Sequence, residues 1–174
     1  MRVFVAIDLP KDIKEHIDQI SFAHQYFNRY PAANLHLTLK YIGEVSDALL
    51  AQINKLMVTI KFSPFPLTFQ SLGYFHPHRR GTPLWIGVEH NPQLEKLQTQ
   101  IEQKLQTLDL KLDNMKYTPH LTIGRMDKGI GEEEIRSFLK TVQIHDFNIL
   151  VNEFTLFHSH STKNGVEYIP LATF

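Results

Sequence analysis

Two segments of the chain, NLHLTL at residues 34–39 and TPHLTI at 118–123, write His-Leu-Thr followed by an aliphatic residue. In each, apolar residues alternate with polar ones, as in a strand with one buried face. The elements around them also repeat. RVFVAIDL (2–9) reads as a buried strand, and Pro10 suits the first turn of a helix that runs to about Phe27, with Ile13, Ile17 and Ile20 on one face. NLHLTLKYIG then forms a strand, a helix spans about Ser46 to Ile60 with Ser46 as its N-cap, and FPLTFQSLGYF (65–75) forms another strand. After a polar loop, HPHRRGTP (76–83), the order restarts. PLWIGV (83–88) is a strand; Asn91 and Pro92 open a helix carrying Leu94, Leu97, Ile101 and Leu105; YTPHLTIG is a strand and GEEEIRSFLKTV a helix. Two strands, about 146–157 and 166–173, close the chain around an Asn164-Gly165 hairpin turn.

The chain is thus expected to form one domain over residues 1–174, built as two pseudo-symmetric lobes with one His-Leu-Thr strand each. An approximate two-fold axis would bring those strands to face each other across a cleft. A length of 174 residues suits a single domain with a sizeable core. Lys plus Arg and Asp plus Glu number 18 each, so no global basic field draws in nucleic acid and any phosphate contact must be local. With no Cys, disulfides, thiol catalysis and Cys-bound metal are excluded. Asp8 and Pro10 interrupt the first apolar run too early for a signal peptide or membrane span, so a cytoplasmic location is expected.

Strand alternation places Leu35, Leu37 and Leu39 toward the core and His36, Thr38 and Lys40 toward the other face. It likewise separates Leu121 and Ile123 from His120 and Thr122. Two imidazoles near their ordinary pKa of about 6.5 can divide the acid and base roles of one displacement, while hydroxyls donate to phosphoryl oxygens. Such a set needs neither metal nor cofactor. A bare His-x-Thr is weak evidence, and a third at 160–162 lacks the aliphatic frame; the two framed copies carry weight because they recur at matching points. His76 and His78 lack the carboxylate or thiolate partners of a zinc site. Their loop reads either as solvated or as an RNA-binding rim, with Arg79 and Arg80 meeting the backbone and Phe75 or Tyr74 stacking on a base. Lys40 either attracts phosphate or is a solvated strand-end residue. Ser159 and Tyr168 read as packing in the last hairpin. No Gly-x-Ser-x-Gly elbow, P-loop or dinucleotide fingerprint is present.

The paired motifs, together with RVFVAIDLP, NLHLTLKYIGEV, LGYF, PLWIGV, YTPHLTIGR and LFHSHSTKNGVEYIPL, resemble the 2H phosphoesterases over nearly the whole chain. The similarity is to their RNA 2′,3′-cyclic phosphodiesterase, or 2′-5′ RNA ligase-like, branch. It implies an α+β, bilobal duplicated fold with two mainly antiparallel sheets flanked by helices around a central cleft. It implies hydrolysis of 2′,3′-cyclic phosphate ends to 2′-phosphates without a metal, with RNA ends or nucleoside 2′,3′-cyclic phosphates as partners, a monomeric enzyme, and 2′-5′ RNA ligase activity in some members. By that resemblance His36 and His120 are the catalytic pair, with His36 the acid and His120 the base, roles that are exchangeable. Thr38, Thr122 and Arg125 bind phosphate. For Arg125, alternation must break near Gly124. The alternatives are a phosphodiesterase for another 2′-linked nucleotide, such as 2′-5′ oligoadenylate or an ADP-ribose cyclic phosphate, and a non-catalytic RNA-binding module.

Overall fold

A computed structural model describes residues 1–76, 80–113, 115–163 and 165–174. Among the described residues nine strands are present: β1 (Arg2–Asp8), β2 (Phe27–Arg29), β3 (His36–Glu44), β4 (Phe65–Tyr74), β5 (Thr82–Val88), β6 (His120–Met126), β7 (Phe147–Val151), β8 (Thr155–Thr162) and β9 (Gly165–Thr173). Among the described residues four α-helices accompany them: α1 (Lys11–Gln19), α2 (Asp47–Met57), α3 (Pro92–Gln106) and α4 (Glu132–Thr141). The fold is α+β. All strand pairs are antiparallel.

The strand order is β7-β4-β5-β6-β3-β1-β8-β9, with β2 added against β6. The two expected sheets are therefore two arms of one sheet, β7-β4-β5-β6 and β3-β1-β8-β9. Among the described residues only one registered pair, Leu37 with Leu121, joins β3 to β6. This order is symmetric about the junction: each arm presents its His-Leu-Thr strand there, with β5 or β1 next. The arms are not the two sequence halves. β4, from the first half, pairs with β5, while β8 returns from the C-terminal end to pair with β1.

The core explains the alternation. Val3, Val5, Ile7, Leu37, Leu39, Leu84, Ile86 and Leu121 are buried in one cluster with Ile17, Ile53, Leu97, Ile101 and Ile135 from the four helices. Across the junction, Ile7, Leu37, Leu121 and Ile86 are matched in register, and all are essentially inaccessible. Leu94, Leu97, Ile101 and Leu105 form the buried stripe of α3, which opens with Pro92 behind the Asn91 cap as its sequence predicts. The side chain of Ser46 likewise caps α2.

Two element boundaries differ from expectation. α1 stops at Gln19 rather than about Phe27, because Arg29 reaches back and donates to the carbonyls of Ile17, Asp18 and Ile20, satisfying the end of the helix. The residues beyond turn into β2, whose approach to β6 depends on Gly124: a Cβ there would meet Asn28 O at 2.5 Å. The expected strand over 146–157 is two strands, since β7 lies at one edge of the sheet and β8 in the opposite arm. Asn164 of the expected hairpin turn lies outside the described residues; β8 and β9 do pair, with Thr162 opposite Gly165.

Candidate active site

The junction between the arms assembles the site. Because Leu37 pairs with Leu121 in antiparallel register, one step either way sets His36 beside Thr122 and Thr38 beside His120. All four side chains line one cavity of about 270 Å³, together with Arg125 and Tyr168. The leucines that make the junction face the core and are fully buried. Burial of these leucines is thus what presents the polar residues on the other face.

Both His-Leu-Thr strands break alternation at the same point. On β3, Val5 faces Lys40 and Ala6 faces Thr38, so Leu39 is an extra residue; on β6, Leu84 faces Gly124 and Trp85 faces Thr122, so Ile123 is extra. The aliphatic residue after each Thr is therefore a bulge. On β6 this returns Arg125 to the face of His120 and Thr122, as its expected role requires. Its Nη1 donates to the carbonyl oxygens of Arg80 and Gly81 at 3.3 and 3.1 Å, and its Nε to the Tyr30 hydroxyl at 3.4 Å.

The bulge on β3 corrects the reading of Lys40, which does not share the face of His36 and Thr38. Lys40 is only 6% exposed. Its Nζ pairs with Glu102 Oε1 of α3 at 2.9 Å and donates to Asp113 O at 2.9 Å. The residue that comes to the site face instead is Tyr41, opposite Phe4 in register and 47% exposed. A second cavity of about 290 Å³, lined by Lys40, Met115 and Tyr117, shares Thr38, Phe75 and His120 with the first.

Each histidine is held in the same way. His36 Nδ1 lies 2.7 Å from Asn34 O, and His120 Nδ1 lies 2.7 Å from Thr118 O. A carbonyl only accepts, so each Nδ1 carries the hydrogen and each Nε2 is left as the basic nitrogen. Thr38 Oγ1 lies 3.0 Å from His36 Nε2 and donates to it. Burial lowers both pKa values below the ordinary imidazole value, against the opposing pull of the two carbonyl bonds. The charges around them differ. Asp8 stands opposite His36 in register and raises its proton affinity, while Lys14, paired with Asp8 at 2.6 Å, and His120 lower it; Gly87 stands opposite His120.

The aromatic surroundings also fall into two sets. Tyr168 meets His36 edge-on with centroids 4.9 Å apart, and Phe75 meets His120 edge-on at 4.7 Å. Tyr168 was expected only to pack in the last hairpin; it packs on Phe4 and also lines the site. Tyr74 does not face a base-stacking position, because its hydroxyl accepts from Arg136 Nε at 2.8 Å and contacts Glu132 of α4. His76 faces Glu132 at 3.5 Å. Arg79, with Pro77 and His78, lies outside the described residues. Sequence reasoning missed Tyr30, Tyr41 and Tyr168 as residues of this face. Tyr41 was legible in principle, given a bulge after Thr38; nothing local marks the other two.

The model of the 2′-5′ RNA ligase superfamily matches residues 9–163, nearly the whole chain. The chain belongs to that superfamily. Among curated relatives of this superfamily member, the RNA 2′,3′-cyclic phosphodiesterase of Methanocaldococcus jannaschii is 32% identical over 171 residues, covering 97% of this chain and 96% of the relative. That of Archaeoglobus fulgidus is 30% identical over 178 residues, covering 100% and 99%. The solved structure of E. coli LigT complexed with 3′-AMP superposes with a TM-score of 0.82 at 26% identity, covering 99% of this chain and 96% of that one. Among the described residues, no helix is long and apolar enough to cross a membrane.

Proposed function

We propose that this chain is an RNA 2′,3′-cyclic phosphodiesterase that opens cyclic phosphate ends to 2′-phosphomonoesters by histidine acid-base catalysis. The observation that carries this reading is the presence of two imidazoles in one cavity, each tied by Nδ1 to a backbone carbonyl, with Thr38 and Thr122 lining the same cavity. The curated relatives named for this activity match the chain from end to end and support it.

In the proposed reaction, His120 Nε2 takes a proton from water as the water oxygen bonds to phosphorus. The P–O3′ bond breaks on the opposite side, and His36 delivers a proton to O3′. Thr38 and Thr122 donate to the non-bridging oxygens as charge builds there. The carboxylate of Asp8 favours His36 as the acid, because it supports the protonated imidazole, against the opposing charge of Lys14, which pairs with that carboxylate at 2.6 Å. Arg125 adds positive charge at the same cavity while holding the loop at Arg80 and Gly81. Phe75, which lines the cavity, and Arg80 are the RNA contacts in this reading. The acting unit in this reading is a monomer, which a solution mass measurement checks.

The test is turnover of adenosine 2′,3′-cyclic phosphate in EDTA, with the product mapped by phosphorus NMR. The expected product is adenosine 2′-phosphate. His36→Ala and His120→Ala should each lose at least about a thousandfold in kcat, since each removes one partner of a concerted pair. No turnover by the wild-type chain, or unchanged rates in both variants, overturns the reading.

A further inference from the structure

The histidines and threonines are arranged symmetrically about the Leu37–Leu121 junction, but a cyclic phosphate has two different bridging oxygens. Some asymmetric group must choose which one meets the acid. The two edge-on rings differ in one respect that matters here: Phe75, on His120, is apolar, while Tyr168, on His36, carries a hydroxyl.

Tyr168 and Ala172 are the half-buried residues of β9, and the other residues of that strand are exposed. The Tyr168 ring is set by Phe4, at 4.9 Å and 76°, and by His36, at 4.9 Å and 88°. Among the described residues its hydroxyl has no hydrogen-bond partner, although the side chain lines the cavity that holds both histidines and both threonines. The nearby Tyr30 hydroxyl is by contrast engaged by Arg125.

Resting on the function proposed above, we infer that the Tyr168 hydroxyl is a substrate contact. It donates a hydrogen bond to the ribose-phosphate oxygen beside His36 and so fixes which bridging oxygen leaves. Burial raises the Tyr168 pKa, which keeps the phenol a neutral donor. No proton is transferred from it: His36 still protonates the leaving O3′, and Tyr168 orients that oxygen. The hydroxyl thereby fixes which ribose oxygen meets the imidazole that acts as acid.

The experiment compares the full chain with Tyr168→Phe and Tyr168→Leu on adenosine 2′,3′-cyclic phosphate, reading kcat, KM and the ratio of 2′- to 3′-phosphate product. Tyr168→Phe keeps the ring against Phe4 and His36, so its unfolding midpoint should match wild type. Its kcat should fall by at least about tenfold, as for loss of one donor to the reacting group, with KM changed by less than about twofold. The product should change from 2′-phosphate alone to a mixture. A Tyr168→Phe enzyme with wild-type kcat and a single product overturns the assignment, and if Tyr168→Leu is then impaired, the ring serves packing only. A wild-type chain with no turnover overturns the function itself, and this assignment with it.

Discussion

His36 and His120 are the same side chain, held by the same kind of Nδ1–carbonyl bond, and they differ in what stands across the sheet: Asp8 for one, Gly87 for the other. Both pKa values are lowered, mainly by burial, so both imidazoles are predominantly neutral at neutral pH. In the proposed reaction the base must be neutral and the acid protonated. The pH profile of kcat/KM should therefore be a bell centred below the ordinary imidazole pKa of about 6.5. Asp8→Asn removes the carboxylate that raises the His36 pKa. If His36 is the acid, its protonated fraction should vanish at lower pH and the alkaline limb should move to lower pH. A shift of the acid limb instead would assign His36 as the base. The identities of the histidines and threonines were legible in the sequence. The carboxylate beside His36 was not, because Asp8 reaches His36 through strand register rather than through proximity along the chain.

At the scale of elements, the bulges at Leu39 and Ile123 decide which residues reach the cavity. Strict alternation sends Lys40 to the site and Arg125 to the core; the bulge reverses both. Nothing local in HLTLK marks the extra residue, since its reason lies in pairing with β1. Lys40 is thus a structural cation, tying β3 to α3 and to the backbone at Asp113. Lys40→Met should cost about 2–3 kcal/mol in urea unfolding, because Glu102 loses its cationic partner in a half-buried site. At temperatures where the variant is folded, KM for a cyclic nucleotide should change by less than about threefold. A large KM effect with little loss of stability would restore the phosphate-contact reading. The early end of α1 has a similar origin: Arg29, ten residues beyond Gln19, satisfies the helix end, and no local stop signal announces it.

On the scale of the whole molecule, two arms share one core but only one junction pair. The apolar cluster runs through residues of both arms and all four helices without a break. Unfolding should accordingly be a single cooperative transition, with fluorescence of Trp85, the one tryptophan, which lies in the β7-β4-β5-β6 arm, coinciding with far-ultraviolet circular dichroism of both arms. Two separated transitions would show that the arms unfold independently. The sequence by itself determined the periodicity, the helix caps at Ser46 and Asn91, and the presence of two framed His-Leu-Thr strands, because each depends on residues close together in the chain. Tertiary structure alone decided that β4 and β8 cross between arms, that Leu37 meets Leu121, and that Tyr168 comes to stand beside His36, 132 residues earlier. Those outcomes depend on strand pairing across long separations, where register is set by burial over the whole core and not by any local pattern.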